Sequence, residues 1–167
     1  MKKKFLEPAQ LIAMIDYPPL HSPEAFAVYR EKFKSNSPVE PITVVPTKIV
    51  LEYLSKNKIR YASYEKNLEQ FLKDHPKAKY FMMGGKHRSA AATLLGLKIP
   101  SLVVENDNDV DAFNLLMKKG EVTGVSGIGQ NFIETLQQLA DHYFEHKRFW
   151  TMAEKTKAMI KNGDIAE

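Results

Sequence analysis

Strands alternating with helices up to about residue 119, and helices only beyond it, predict an α+β (α/β) fold: a mixed sheet with packed helices, plus a C-terminal helical pair. Three observations carry this. Short β-branched or apolar runs are bounded by Pro or Gly. Apolar residues recur at helical spacing between those runs. Two glycines, Gly84 and Gly85, join one such run to an alanine-rich helix former.

In chain order, residues 3–6 read as a short strand and 10–15 as a turn or helix, before Pro18-Pro19 breaks the chain. Ser22 caps the next helix, Pro23 occupies its first position and Glu24 faces the positive dipole end. Phe26, Tyr29 and Phe33 follow at helical spacing, and Ser35-Asn36-Ser37-Pro38 ends the helix. Residues 41–46 form a β-branched strand between two prolines. Helices are predicted over 48–56 and over 64–74, the second capped by Ser63. A strand over 78–83 runs into Gly84-Gly85, a helix over 88–95 is closed by Gly96, and a further strand covers 99–104. A helix over 109–119 and a glycine-bearing loop over 123–130 lead to two helices, about 131–147 and 152–162. Thr151 with Glu154 makes a capping box for the last one, and Trp150 anchors the pair near its junction. The expected organisation is therefore a domain over 1–122 and a helical extension over 123–167.

Composition bounds the function. The chain has 167 residues, 44% hydrophobic and 26% charged, as an ordinary globular protein has. No window nears the roughly 18 apolar residues of a membrane span, so no membrane partner and a cytoplasmic location are expected. The absence of cysteine excludes disulfides, thiolate zinc sites and cysteine catalysis together. A net charge of +4 is compatible with anionic ligands, and equally with a generic basic surface.

The chemistry concentrates in Met83-Gly84-Gly85-Lys86-His87-Arg88-Ser89. Glycines let the backbone turn sharply and approach a ligand closely. A helix N-terminus supplies N–H donors and about half a positive charge, which suits an anion. Lys86, His87 and Arg88 add cationic donors on the same turn, Arg88 with a fork that fits two phosphate oxygens. Three cations at a positive dipole end oppose it unless an anion is present. The alternative is a tight turn with a basic, solvent-facing helix start. The segment is not a P-loop: Tyr80 and His87 stand where glycine and Ser or Thr would be needed.

These residues, with Leu95-Gly96-Leu97-Lys98-Ile99-Pro100 after them and Pro41-Ile42-Thr43-Val44 before them, resemble the ParB/sulfiredoxin superfamily over about residues 1–118. The family pattern is a strand, a Gly-x-x-Arg helix start, a leucine-glycine helix end and an Ile-Pro strand. The resemblance implies a nucleotide-binding domain with the phosphates at Gly84, Gly85, Lys86, His87, Arg88 and Ser89. Sulfiredoxins carry Gly-Gly-Cys-His-Arg here; Lys86 replaces the cysteine, which excludes that activity. Archaeal free serine kinases carry Asp-Gly-His-His-Arg, which Gly85, His87 and Arg88 match. ParB partition proteins bind CTP at a Gly-Glu-Arg-Arg turn.

Two function classes follow. One is a phosphoryl-transfer enzyme, a small-molecule kinase or nucleotide hydrolase, using ATP, ADP or CTP with Mg²⁺, with Glu24 and His87 as the candidate catalytic residues. The other is a DNA-binding ParB-like nuclease or CTP switch, using the basic tail residues Lys147, Arg148, Lys155, Lys157 and Lys161. A homodimer through the tail is compatible with either. Weaker patterns are read as structural. His142-x-x-Glu145-His146 fits a zinc helix but has only Glu154 as a nearby third ligand. Asp107-Asn108-Asp109-Val110-Asp111 begins like a calcium loop but carries Ala112 and Lys118 where glycine and glutamate belong. It is read as capping the following helix, with Mg²⁺ beside bound phosphates as the alternative.

Overall fold

The computed structural model describes residues 1–15, 19, 20, 22–122, 128–144 and 148–166. They form a five-stranded mixed sheet of order β1-β5-β3-β4-β2 with seven α-helices. The strands are β1 (Lys2–Leu6), β2 (Leu11–Ile12), β3 (Ile42–Pro46), β4 (Tyr80–Met82) and β5 (Ile99–Val103). The helices are α1 (Pro23–Lys34), α2 (Thr47–Lys56), α3 (Lys58–Asp74), α4 (Lys86–Leu94), α5 (Asp107–Lys118), α6 (Phe132–Phe144) and α7 (Met152–Lys161). The fold is α+β, as the element order predicts.

The pairs β1–β5 and β3–β4 are antiparallel, whereas β3–β5 and β2–β4 are parallel. Side chains of a strand alternate between faces, and the sheet buries both. Val44 and Met82 belong to a core with Phe26 of α1, Ala90 and Ala91 of α4 and Met152 of α7. Val45, Phe81 and Met83 belong to another with Leu54 of α2, Leu68 of α3 and Leu139 of α6. The small residues of α4 let it lie close to the sheet.

Three expectations are corrected. Residues 11–12, read within a turn or helix, form edge strand β2, which a single turn of 3-10 helix over Pro8–Gln10 delivers to β4. Two residues are too few for a period-2 signal. The second helix of the 47–74 hairpin starts at Lys58, so Ser63 lies inside it and is not its cap. The break sits at Asn57, whose side chain donates to the Tyr53 carbonyl at the end of α2. Lastly, α5 is capped by Asn106, whose Oδ1 accepts from the Asp109 N–H, so the helix begins two residues earlier than read.

The C-terminal helices carry the predicted capping box, Thr151 with Glu154. They also contribute to both cores of the sheet. Tyr143 of α6, fully buried, donates its hydroxyl toward the carbonyls of Ile12 and Met82, at 3.0 and 2.6 Å. Trp150 and Thr151, just before α7, cover the outer edge of β2: Thr151 bridges Ile12, and the Ala13 N–H donates to the Trp150 carbonyl. At the opposite edge β1 presents exposed Lys2, Lys3 and Lys4, which discourage strand addition. The expected loop residues 123–127 and the helix end 145–147 lie outside the described residues, as does Pro18 of the predicted break.

Candidate functional site

Strand β4 ends at Met82, and Met83 adds one more rung by donating its N–H to the Thr43 carbonyl at 2.8 Å. The chain then reverses through Gly84-Gly85 into α4. Gly85 is the N-cap of α4, in the left-handed region at φ +79°. A Cβ there would collide with Cγ2 of Ile42 on β3, so glycine is required both by the turn and by the close approach to the sheet. Having no side chain, Gly85 offers α4 no side-chain cap, and the first turn holds Lys86, His87 and Arg88 with no acidic residue.

A second helix N-terminus meets this one. Ser22 caps α1 by accepting from the Ala25 N–H at 3.0 Å. Its own N–H donates to Nε2 of His87 at 3.1 Å. Its hydroxyl also donates to Oε2 of Glu24 at 3.2 Å. The candidate catalytic residues Glu24 and His87 are therefore brought together around Ser22, which sequence reasoning took only as a cap. Nε2 of His87 is an acceptor in this arrangement, so the ring proton of the neutral side chain sits on Nδ1.

The three basic residues of the turn are not alike. Arg88 is 5% exposed. One guanidinium nitrogen donates to the carbonyls of Glu40 and Pro41, at 3.1 and 3.0 Å, in the segment entering β3. The Glu40 carboxylate lies 3.9 Å away, and the Tyr29 ring of α1 lies 5.7 Å from the guanidinium carbon. Burial pulls the Arg88 pKa down, and Tyr29 and Glu40 oppose that shift. Its other terminal nitrogen stays beside Gly85. Arg88 thus ties α4 to α1 and to β3, a duty invisible without the fold. Lys86 is also buried, at 7% exposure, whereas His87 is half-buried. Ser89 faces inward, its hydroxyl buried and without a hydrogen-bond partner among the described residues.

Beside the turn lies a cavity of about 210 Å³. Its walls are Met14, just after β2, Met82 and Met83 at the end of β4, and Gln138, Leu139, His142 and Tyr143 of α6. It thus opens at the carboxyl ends of the two parallel strands β2 and β4, where ligands of open α/β sheets commonly bind. His142 accepts the Ile15 N–H on Nε2 at 3.2 Å. Lys155 of α7, fully buried, donates to the Met14 carbonyl at 2.9 Å.

Glu145 and His146 lie outside the described residues, and Glu154 is engaged by His75 and by the Thr151 N–H. Asp107, in the first turn of α5, accepts the Phe132 N–H at 2.7 Å, while α6 itself is capped by Asn131, which accepts the Glu134 N–H at 2.8 Å. Asp109 accepts the Glu105 N–H and pairs with the N-terminal amine. Among the described residues no group of three or more His, Asp or Glu is placed to hold a metal ion. Nor is any helix among them long and apolar enough to cross a membrane.

No family model matches the chain, and neither a curated protein nor a solved structure shows significant similarity to it.

Proposed function

We propose that this chain is a nucleotide-binding protein of the ParB/sulfiredoxin type, with the phosphates seated on the backbone of Gly85 to Arg88. The observation that carries the reading is the meeting of two helix N-termini at Ser22 and His87. Both present their positive ends to one place, and the first turn of α4 carries the cations Lys86 and Arg88 after a glycine cap. Such a junction favours a polyanion over any neutral ligand. Burial of Lys86 and Arg88 keeps positive charge in a partly desolvated setting, where its attraction for phosphate is less screened.

The reaction class that fits is phosphoryl transfer in a cytoplasmic enzyme, a small-molecule kinase or nucleotide hydrolase. Positioned cations and helix dipoles supply the electrostatic part of that chemistry. Glu24, exposed at the first turn of α1, serves as the base toward an acceptor hydroxyl or water, with Ser22 orienting its carboxylate. His87 holds α1 against α4 through Nε2. Mg²⁺ ordinarily uses one or two carboxylates plus the substrate's phosphates, and here it would be held chiefly by those phosphates. The ion would neutralise charge on the phosphates. The DNA-binding reading draws less support: Lys155 is buried and Arg148 stacks on Trp150 at 4.5 Å, so the basic face of the tail is smaller than its sequence suggests.

The test is titration of ATP, ADP and CTP with Mg²⁺, followed by amide NMR. The resonances of Gly85 to Arg88 and of Ser22 are expected to move most. Binding that leaves them unmoved, or no binding at all, refutes the proposal.

A further inference from the structure

The cavity beside the turn has features that a phosphate site does not need. It is walled by three methionine side chains, Met14, Met82 and Met83, and by the ring of Tyr143. Methionine is adaptable and polarizable, and its sulfur makes favourable contacts with aromatic rings. The Tyr143 ring is fixed, since its hydroxyl is held by two carbonyls. At about 210 Å³ the space exceeds the roughly 150 Å³ that accepts a benzene, and falls short of the roughly 300 Å³ where drug-sized pockets begin. It has room for one planar ring system and not for a whole nucleotide.

Two polar residues stand on its wall, four positions apart on one face of α6. His142 is committed to the Ile15 N–H through Nε2. Gln138 is exposed, and its amide makes no hydrogen bond to any described residue. A primary amide offers one acceptor and two donors, the pattern that pairs with the edge of a nucleobase. The cavity is joined to the phosphate turn by the chain itself: Met83 lines it, and Gly84 is the next residue.

We infer that this cavity receives the nucleobase of the bound nucleotide, stacked among Met14, Met83 and Tyr143, with the Gln138 amide reading the base edge. The inference rests on the phosphate reading above and adds a specificity residue from α6. It also makes the C-terminal helices part of the ligand site.

Calorimetric titration of tripolyphosphate, of ATP, GTP, CTP and UTP, and of the four nucleosides separates the two ideas. For the wild-type chain, at least one nucleotide is expected to bind tenfold or more tighter than tripolyphosphate. Gln138→Ala should reduce that advantage at least fivefold, and Met14→Trp, which fills the cavity, should abolish it. Both should leave tripolyphosphate affinity within twofold of wild type. Gln138 is exposed, so that variant carries the test even if Met14→Trp does not fold. Four nucleotides no tighter than tripolyphosphate, or an advantage that survives Gln138→Ala, overturn the base site while the phosphate turn stands. A nucleoside that binds and is weakened by Gln138→Ala, with no binding of tripolyphosphate, supports the cavity and overturns the turn. No binding by any probe overturns both.

Discussion

Arg88→Ala distinguishes a ligand-holding arginine from a fold-holding one. Its guanidinium donates two charge-assisted hydrogen bonds, to the Glu40 and Pro41 carbonyls, and faces the Tyr29 ring. Bonds to a charged group contribute roughly 1.5–3 kcal/mol each. One nitrogen serves both carbonyls, and Glu40 and Pro41 are only half-buried, so water replaces part of what is lost. Desolvation of the cation, which depresses its pKa, is a cost that the substitution also removes. The net destabilisation is therefore expected at about 2–3 kcal/mol. At about 2–4 °C per kcal/mol for a chain of this size, that is a fall in Tm of roughly 4–12 °C. Urea unfolding of wild type, Arg88→Ala and Arg88→Met measures it directly, because Met retains most of the volume and none of the donors. Arg88→Lys should recover less than half of the loss, since a single ammonium cannot reproduce the planar fork. The reasoning fails if Arg88→Ala unfolds within about 0.5 kcal/mol of wild type. If it also loses nucleotide affinity, Arg88 serves the ligand and its bonds to the segment before β3 are incidental.

The remaining predictions concern the joints between tail and sheet. Tyr143→Phe leaves the Ile12 and Met82 carbonyls without their donor in a buried setting, and should cost about 1–3 kcal/mol in urea unfolding with no change of fold. His75 joins the end of α3 to Glu154 at the start of α7. Burial pulls its pKa down, but the hydrogen bonds to Glu154 and to the Phe71 carbonyl win, and the net shift is upward. A raised folded-state pKa means that this contribution is complete below the unfolded value of about 6.5 and is lost as pH rises through the folded one. Both side chains are partly exposed, so the effect should stay below about 1 kcal/mol. Chemical denaturation at pH 6 and pH 8 should show wild type losing more stability on the rise than His75→Asn does, by this increment.

Legibility followed the length and regularity of each signal. The strands over 42–46, 80–82 and 99–103 were readable because short apolar runs, β-branched in the first and last, stand between prolines and glycines. The glycine turn was readable because Gly85 answers two constraints at once, its left-handed backbone and its contact with Ile42. Strand β2 was not readable, because its two residues exist as a strand only by pairing with β4 and with Thr151. Nor could sequence show that Arg88 reaches back to residues 40 and 41, or that Ser22 meets His87 across 65 positions. Such contacts are set by the packing of α1 on α4, and no local pattern encodes them.

The tail illustrates the same point at larger scale. Composition and the glycine-bearing stretch at 123–130 suggest a boundary near residue 122, and the helices beyond it read as an extension. Yet β2 has no outer strand neighbour among the described residues, and Thr151, just before α7, bridges that edge. Phe81 on β4 packs edge-on against Tyr143, with ring centroids 4.8 Å apart. The Met14 carbonyl, two residues beyond β2, takes its hydrogen bond from buried Lys155. Three separate contacts from the last 25 residues therefore fix the carboxyl ends of β2 and β4, from which Met83 leads into the glycine turn. A sheet without them would expose apolar surface on Ile12 and Phe81 and leave the approach to the turn unsupported. On this geometry α6 and α7 set the shape of the candidate site, and a chain ending near residue 122 should lose both solubility and any nucleotide affinity together.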